Sequence, residues 1–370
     1  MTIDSSTTDN RRYRILSLDG GGIKGAYTAS VLHTLESITG KSFREHFDLV
    51  TGTSTGGIIA IAIGLGVPLA DIVDLYVEKG PAIFPIPQRG LHGKLRELWR
   101  HCIGPKHSQD VLASELKRVF GERRFGASAN RLVIPSFNAL NGNIQLFKTA
   151  HCAAYRMDCQ LPATTVALAT SAAPTYFRAF TDEQGRAFLD GGVWANCPAV
   201  VGLVEATAAL GWSIDQIDIL SVGTTAVPFD VNHARRKGGI ASWNRGLIDL
   251  FQEAQMQGML GLAGAMTKQR IFRVDATARS GRFSLDDAKE VRDLKGLGEN
   301  SARQVVEQLA ARFLHSPADR FVPFDNSTLS QVSFDQRTVH LTGETPTRTH
   351  LIGEQLNAPH VLSLISEFTP

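Results

Sequence analysis

The first patterned stretch of the chain, YRILSL, sets Ile15, Leu16 and Leu18 close together and then stops at Asp19 and a cluster of glycines. A short apolar run closed by turn residues predicts a buried strand. Behind the glycines, Tyr27, Val31 and Leu35 recur at helical spacing, so residues 26–38 are expected to form a helix ending near Gly40. The same succession then repeats. Residues 47–51 predict a second strand, a glycine-bounded turn follows, and an apolar helix runs on from Ile58. Two such strand-turn-helix units predict an α/β fold, a sheet covered by helices.

Residues 68–120 predict mostly helix, broken in PAIFPIPQRG and CIGPKHS. RLVIPSF and IQLFKT predict two strands across the turn-prone NALNGN. Residues 164–173 are apolar and expected to be buried; APTYF and the turn TDEQGR follow, and AFLDGG predicts a short strand running into glycine. A helix over 199–210 and a strand in IDILSVGTT come next. Beyond Pro228 the signal thins: VNHARRKGGIASWNR predicts a loop or the start of a helix. Residues 247–266 predict a helix with a Met-rich face, IFRVDA a strand, and 301–314 a helix. No internal repeat or long linker divides the chain. The expected organisation is one domain over residues 13–325, with a helical insertion, and an extension over 326–370 packed against it.

Composition narrows the class. With 370 residues, 43% hydrophobic and 20% charged, the chain has the make-up of an ordinary globular protein. A formal charge of +2 gives no bulk attraction to DNA or RNA. Cys102, Cys152, Cys159 and Cys197 show neither metal-ligand spacing nor the density of a disulfide framework, so a reducing compartment and no metal are expected. MTIDSSTTDNRR lacks the apolar core of a secretory signal. The apolar run 58–67 is interrupted by Gly64 and Gly66 and is too short to span a bilayer, so membrane contact is expected to be peripheral.

The turn after the second strand carries chemistry. Gly52-Thr53-Ser54-Thr55-Gly56 fits the Gly-x-Ser-x-Gly nucleophile elbow, which presents a serine hydroxyl on a sharp strand-to-helix turn. A purely structural turn and helix cap would use the same small residues, so the pentapeptide alone decides nothing. Gly20-Gly21-Gly22-Ile23-Lys24-Gly25, also between strand and helix, suits a nest of backbone N–H groups for a developing oxyanion. Lys24 can steady that loop, attract an anionic headgroup, or simply be a solvated residue at a helix start. The spacing Gly20, Gly22, Gly25 also satisfies a dinucleotide fingerprint, but the strand over 47–51 does not end in the acidic residue that holds a ribose. A P-loop fails because Gly25, not Ser or Thr, follows Lys24. Asp190-Gly191-Gly192 offers a carboxylate at a strand end, able to take a serine proton if it lies within reach of Ser54.

Together these segments resemble the patatin-like phospholipase family. Asp19-Gly20-Gly21-Gly22-Ile23-Lys24-Gly25 resembles its oxyanion motif, Gly52-Thr53-Ser54-Thr55-Gly56-Gly57 its elbow, Asp190-Gly191-Gly192 its aspartate motif, and Ala169-Thr170-Ser171-Ala172-Ala173-Pro174 the segment between them. The likeness covers roughly residues 13–225. It implies a three-layer patatin-like fold around a mainly parallel sheet. It also implies a Ser54/Asp190 dyad without an obligatory histidine, an oxyanion hole from the amides of Gly21, Gly22 and Ile23, and no cofactor. The implied reaction is release of fatty acid from phospholipid through an acyl-enzyme.

IPSFNALNGNIQLFKTAH further resembles a bacterial branch of antiphage effectors in which a cyclic oligonucleotide switches on phospholipid hydrolysis. That likeness implies a cyclic di- or trinucleotide activator, a homo-oligomer, a cytoplasmic protein and transient association at the inner membrane. Its nucleotide-binding residues are not assigned; Arg123, Arg124, Lys148, His151, Arg235, Arg236 and Lys237 are the basic candidates, with ordinary surface charge the favoured explanation of each taken singly. Two other readings stay open: a Ser-His-Asp esterase or thioesterase using His233 or a later histidine, and a noncatalytic lipid-binding protein. His33, Ser17, Thr170 and Ser221 are read as structural, and Trp99, Trp194 and Trp243 have no context that makes them substrate residues. GMLGLAGAM is expected to line an acyl pocket, touch a membrane or pack in the core.

Overall fold

A computed structural model describes residues 11–85, 106–226, 246–278 and 282–324. One sheet holds strands β1 (Tyr13–Leu18), β2 (Leu49–Gly52), β3 (Arg131–Asn138), β4 (Asn143–Lys148), β5 (Phe180–Thr181), β6 (Ala187–Asp190), β7 (Ile217–Val222) and β8 (Ile271–Val274). Their order is β5-β6-β3-β2-β1-β7-β8, with β4 paired to β3. Strands β3, β2, β1, β7 and β8 run parallel, whereas β4 and β6 join β3 antiparallel. The longer helices are α1 (Gly25–Thr39), α2 (Thr55–Leu65), α3 (Leu69–Val77), α4 (Gln109–Phe120), α5 (Ala163–Thr170), α6 (Ala199–Val204), α7 (Gly246–Met266) and α8 (Val291–Phe313).

The strands carry apolar residues at successive positions because both faces of the sheet are covered. In β1, Leu16 and Leu18 join a core with α1, α2, α3 and α8, while Ile15 joins a second core with Leu203 of α6 and Ala263 of α7. Val50 and Leu49 of β2 divide in the same way. Helices, sheet and helices therefore make three layers. Helix α2 is buried along its whole length, which is why its sequence shows no polar face.

Two expectations change, and of the three places expected for GMLGLAGAM the core is the one observed. Helix α8 starts at Val291, well before Ser301. Its Gly298 lies against α1, where a Cβ would come 2.5 Å from the carbonyl oxygen of Tyr27. The helix expected over 199–210 is α6 followed by a π-helical turn, Glu205–Ala209. GMLGLAGAM does not line the cavity described below: Met259 and Leu260 pack on the second core and Ala263 lies in it. Among the described residues, no helix is long and apolar enough to cross a membrane. VNHARRKGGIASWNR, His233, Arg235, Arg236, Lys237, Trp99, Trp243 and the expected extension lie outside the described residues.

Candidate active site

Leu18 lies opposite Gly52 in the β1/β2 register, so the glycine loop and the serine turn leave adjacent parallel strands side by side. Carboxyl ends of parallel strands are where open α/β sheets hold ligands. The Thr53 amide donates to the Leu18 carbonyl at 3.1 Å. At Gly56 a Cβ would stand 2.3 Å from that same oxygen, so only glycine lets α2 begin this close to β1.

Ser54 sits at φ 55° and ψ −121°, a region that L-residues seldom adopt. Its amide donates to Thr170 Oγ1 at 3.0 Å, and the Thr170 hydroxyl donates to the Pro135 carbonyl at 2.6 Å. The Ser54 side chain makes no capping bond to α2. It instead lines one cavity with Asp190, close enough for its hydroxyl to lower that carboxyl. The capping explanation of this serine therefore fails.

Strand β3 brings the two residues together. Its first half pairs with β2, as far as Thr51 opposite Val133. After β2 turns away, β6 takes its place along β3, running the other way, with Asp190 opposite Ser136. The last residue of β6 thus arrives just beyond the last residue of β2. The Gly192 amide donates to Asp190 Oδ1 at 2.6 Å. Burial pushes the Asp190 carboxyl up to about 6; the Ser54 hydroxyl and the Gly192 amide pull it down only in part, and no cation contributes among the described residues.

The glycine loop is tied from several sides. The Gly20 amide donates to the Asn196 carbonyl at 3.0 Å, and Asn196 Nδ2 and Thr224 Oγ1 donate to the Gly20 carbonyl at 3.4 and 3.2 Å. Arg273 donates to Asp19 at 2.7 Å and to Asp275 at 2.6 Å, anchoring the loop from below. The amides of Gly21 and Gly22 have no partner among the described residues. Ile23 differs from expectation: its amide donates to the Leu285 carbonyl at 2.9 Å and is closed to a substrate oxygen in this arrangement. Lys24 reaches the Thr225 carbonyl at 3.4 Å and does not line the cavity.

Ser54, Thr55, Asp190, Gly21 and Gly22 open onto a cavity of about 320 Å³. Its walls are mainly apolar, with Ile58, Leu75, Ile83, Phe84, Leu112 and Phe177. Phe251, Gln252 and Gln255 close it from α7, one to two turns before the segment expected there. None of the described histidines lines it.

The sequence missed several supports of this site. Thr170 was read as structural, yet its hydroxyl holds the Ser54 amide; its only signal was its place in the Ala169–Pro174 segment. Asn196, Thr224 and Arg273 gave none, because their partners are backbone and side-chain groups remote in sequence. Trp194 is structural, its Nε1 donating to the Ser136 carbonyl at 2.9 Å. Of the basic candidates, Lys148 and His151 are bound to Glu205 at 2.7 and 2.9 Å. Arg123 donates to carbonyls of Val119, Phe120 and Leu65, and Arg124 to the Gln160 side chain.

The sequence pattern of the patatin family, described as patatin-like phospholipase, matches residues 16–203 and so takes in the glycine loop, the elbow and Asp190. The chain belongs to the patatin-like phospholipase family. A Pseudomonas aeruginosa protein named cGAMP-activated phospholipase is 32% identical over 317 residues, covering 84% of this chain and 91% of that one. Proteins of the same name from Escherichia coli and Vibrio cholerae are 32% and 33% identical, covering 62% and 63% of this chain and 67% and 71% of theirs. The three layers described above are thus a patatin-like fold, and the enzyme is a lipid acyl hydrolase.

Proposed function

We propose that this patatin-like enzyme releases fatty acid from membrane phospholipids by a Ser54/Asp190 dyad. The observation that carries this reading is the strained elbow whose serine makes no capping bond to its helix and shares an apolar cavity with a buried carboxylate that no described cation meets. Asp190, ionised above about pH 6, accepts the Ser54 proton as Oγ attacks the ester carbonyl. The negative charge on the carbonyl oxygen is met by the free amides of Gly21 and Gly22 and by the Thr55 amide at the start of α2. Collapse expels the lysophospholipid alcohol, which takes the proton back from Asp190 and leaves an acyl-serine. Asp190 then draws a proton from water, and hydroxide attack frees the fatty acid and restores Ser54. The apolar cavity suits the acyl chain.

The activity is switched on by a cyclic dinucleotide and exerted at a phospholipid surface; the names of the bacterial relatives support the first part. Fatty-acid release from phospholipid vesicles and from neutral esters, with and without cyclic di- and trinucleotides, tests both parts. Wild type should respond to the cyclic dinucleotide, and Ser54→Ala should be inactive throughout. Full activity without nucleotide would remove the switch, and persistence of hydrolysis in Ser54→Ala would remove the dyad.

A further inference from the structure

Residues 284–286 connect two parts of the cavity's surroundings, and Leu285 itself lines it. On one side, Asp286 Oδ2 accepts from His107 Nε2 at 3.0 Å and from Lys106 Nζ, while Ser284 Oγ donates to Asp286 Oδ1 at 3.0 Å. These partners do not line the cavity but are bound to residues that do. The Lys106 and His107 amides donate to the carbonyls of Thr175 and Tyr176 at 3.1 and 2.8 Å, and the His107 ring meets Phe84 edge-on at 5.2 Å. On the other side, the Leu285 carbonyl takes the Ile23 amide and stands 2.2 Å from where a Cβ on Gly22 would lie. Gly22 has φ +57°, so contact and conformation both demand glycine there.

We propose that Asp286 is a positioning residue for the oxyanion-binding loop, acting through Leu285 and Ile23; this rests on the acyl-transfer reading above. Three consecutive glycines, Gly20 to Gly22, have more backbone freedom than any other tripeptide. Amides stabilise an oxyanion strongly only when they are already aimed before charge develops. The Asn196 and Thr224 bonds fix Gly20, and at the far end of the loop Leu285 holds Ile23. Asp286 holds Leu285 there by charge-assisted bonds to partners that are themselves packed. Burial alone would raise the Asp286 carboxyl, but the bonds to His107 and Lys106 outweigh it and keep the group well below the usual carboxylate range. The latch therefore stays ionised throughout the neutral range. Ile23, in this arrangement, gives its amide to structure so that those of Gly21 and Gly22 remain open.

The test uses the full-length enzyme under the conditions in which wild type is active, with a water-soluble short-chain nitrophenyl ester. Asp286→Ala should lower kcat about tenfold while KM stays within about twofold, because the loop acts on the transition state. Inhibition by a fatty-acyl trifluoromethyl ketone, whose serine adduct carries an oxyanion, should weaken about tenfold in step. A merely structural latch would lower the melting temperature without shifting that inhibitor relative to substrate. An unchanged or raised kcat in folded Asp286→Ala overturns the proposal, the raised value marking a gate. If that variant fails to fold, His107→Gln combined with Lys106→Met removes the same bonds from the opposite side, and an unchanged kcat there overturns it equally. Ser54→Ala separates the two readings: activity in Ser54→Ala sinks the dyad. An inactive Ser54→Ala beside a normal Asp286→Ala sinks only the role of Asp286.

Discussion

Two carboxylates, Asp190 and Glu205, are equally hidden at 4% exposure, yet their surroundings are opposite. Glu205, in the π-helical turn after α6, is held between Lys148 and His151. Burial would raise its carboxyl, but those two partners outweigh burial and lower it. Asp190 accepts from the Gly192 amide and has no cation beside it among the described residues, and burial pushes it up to about 6. Both groups are buried, but only one is compensated. A carboxylate closed by cations has no capacity left for a proton in transit, whereas one left with a hydroxyl is poised to accept it.

The largest expected difference is in activity. Asp190→Asn should lower ester hydrolysis roughly 10⁴-fold, whereas Glu205→Gln, assayed where it is folded, should stay within about threefold of wild type. Similar losses in the two variants would erase the contrast. Stability should reverse the order. Glu205→Gln strands Lys148 and His151 against a neutral amide and should cost roughly 3–5 kcal/mol in urea unfolding at pH 7. Because the folded Glu205 carboxyl lies below its unfolded value, that deficit should shrink as pH falls below about 4.5.

The smallest effect belongs to Asp190. Its carboxyl is raised on folding from 3.8 to about 6, so keeping it charged at pH 7 costs roughly 3 kcal/mol. This group favours folding below its unfolded value and loses that contribution as pH rises towards 6. Asp190→Asn should therefore be more stable than wild type at pH 7, by up to about that amount, and no more stable near pH 3. Wild-type kcat/KM should also fall about tenfold per pH unit below about 6, as the base becomes protonated. A flat profile between pH 4 and 7 would assign the base elsewhere.

The sequence exposed what depends on local signals. Apolar runs closed by Asp19-Gly20 and Gly52-Thr53 marked β1 and β2, and the turn NALNGN placed the β3/β4 hairpin, because glycine and asparagine end strands by their own conformational preferences. What stayed hidden depends on distant partners. The reach of α8 back to Val291 shows only once Gly298 is laid against α1. Lys148 and His151 read as free bases until Glu205 is folded between them. Ile23 reads as an oxyanion donor until the Leu285 carbonyl arrives from the far part of the chain.

The exchange of β6 for β2 along β3 also orders events during synthesis. The elbow leaves the ribosome with the amino-terminal strands, while Asp190 is added only after the β3/β4 hairpin and α5. On the proposed chemistry a nascent chain carries a nucleophile with no base. A lipid-cutting enzyme is thereby born inert and gains its reactivity only once β6 has joined β3.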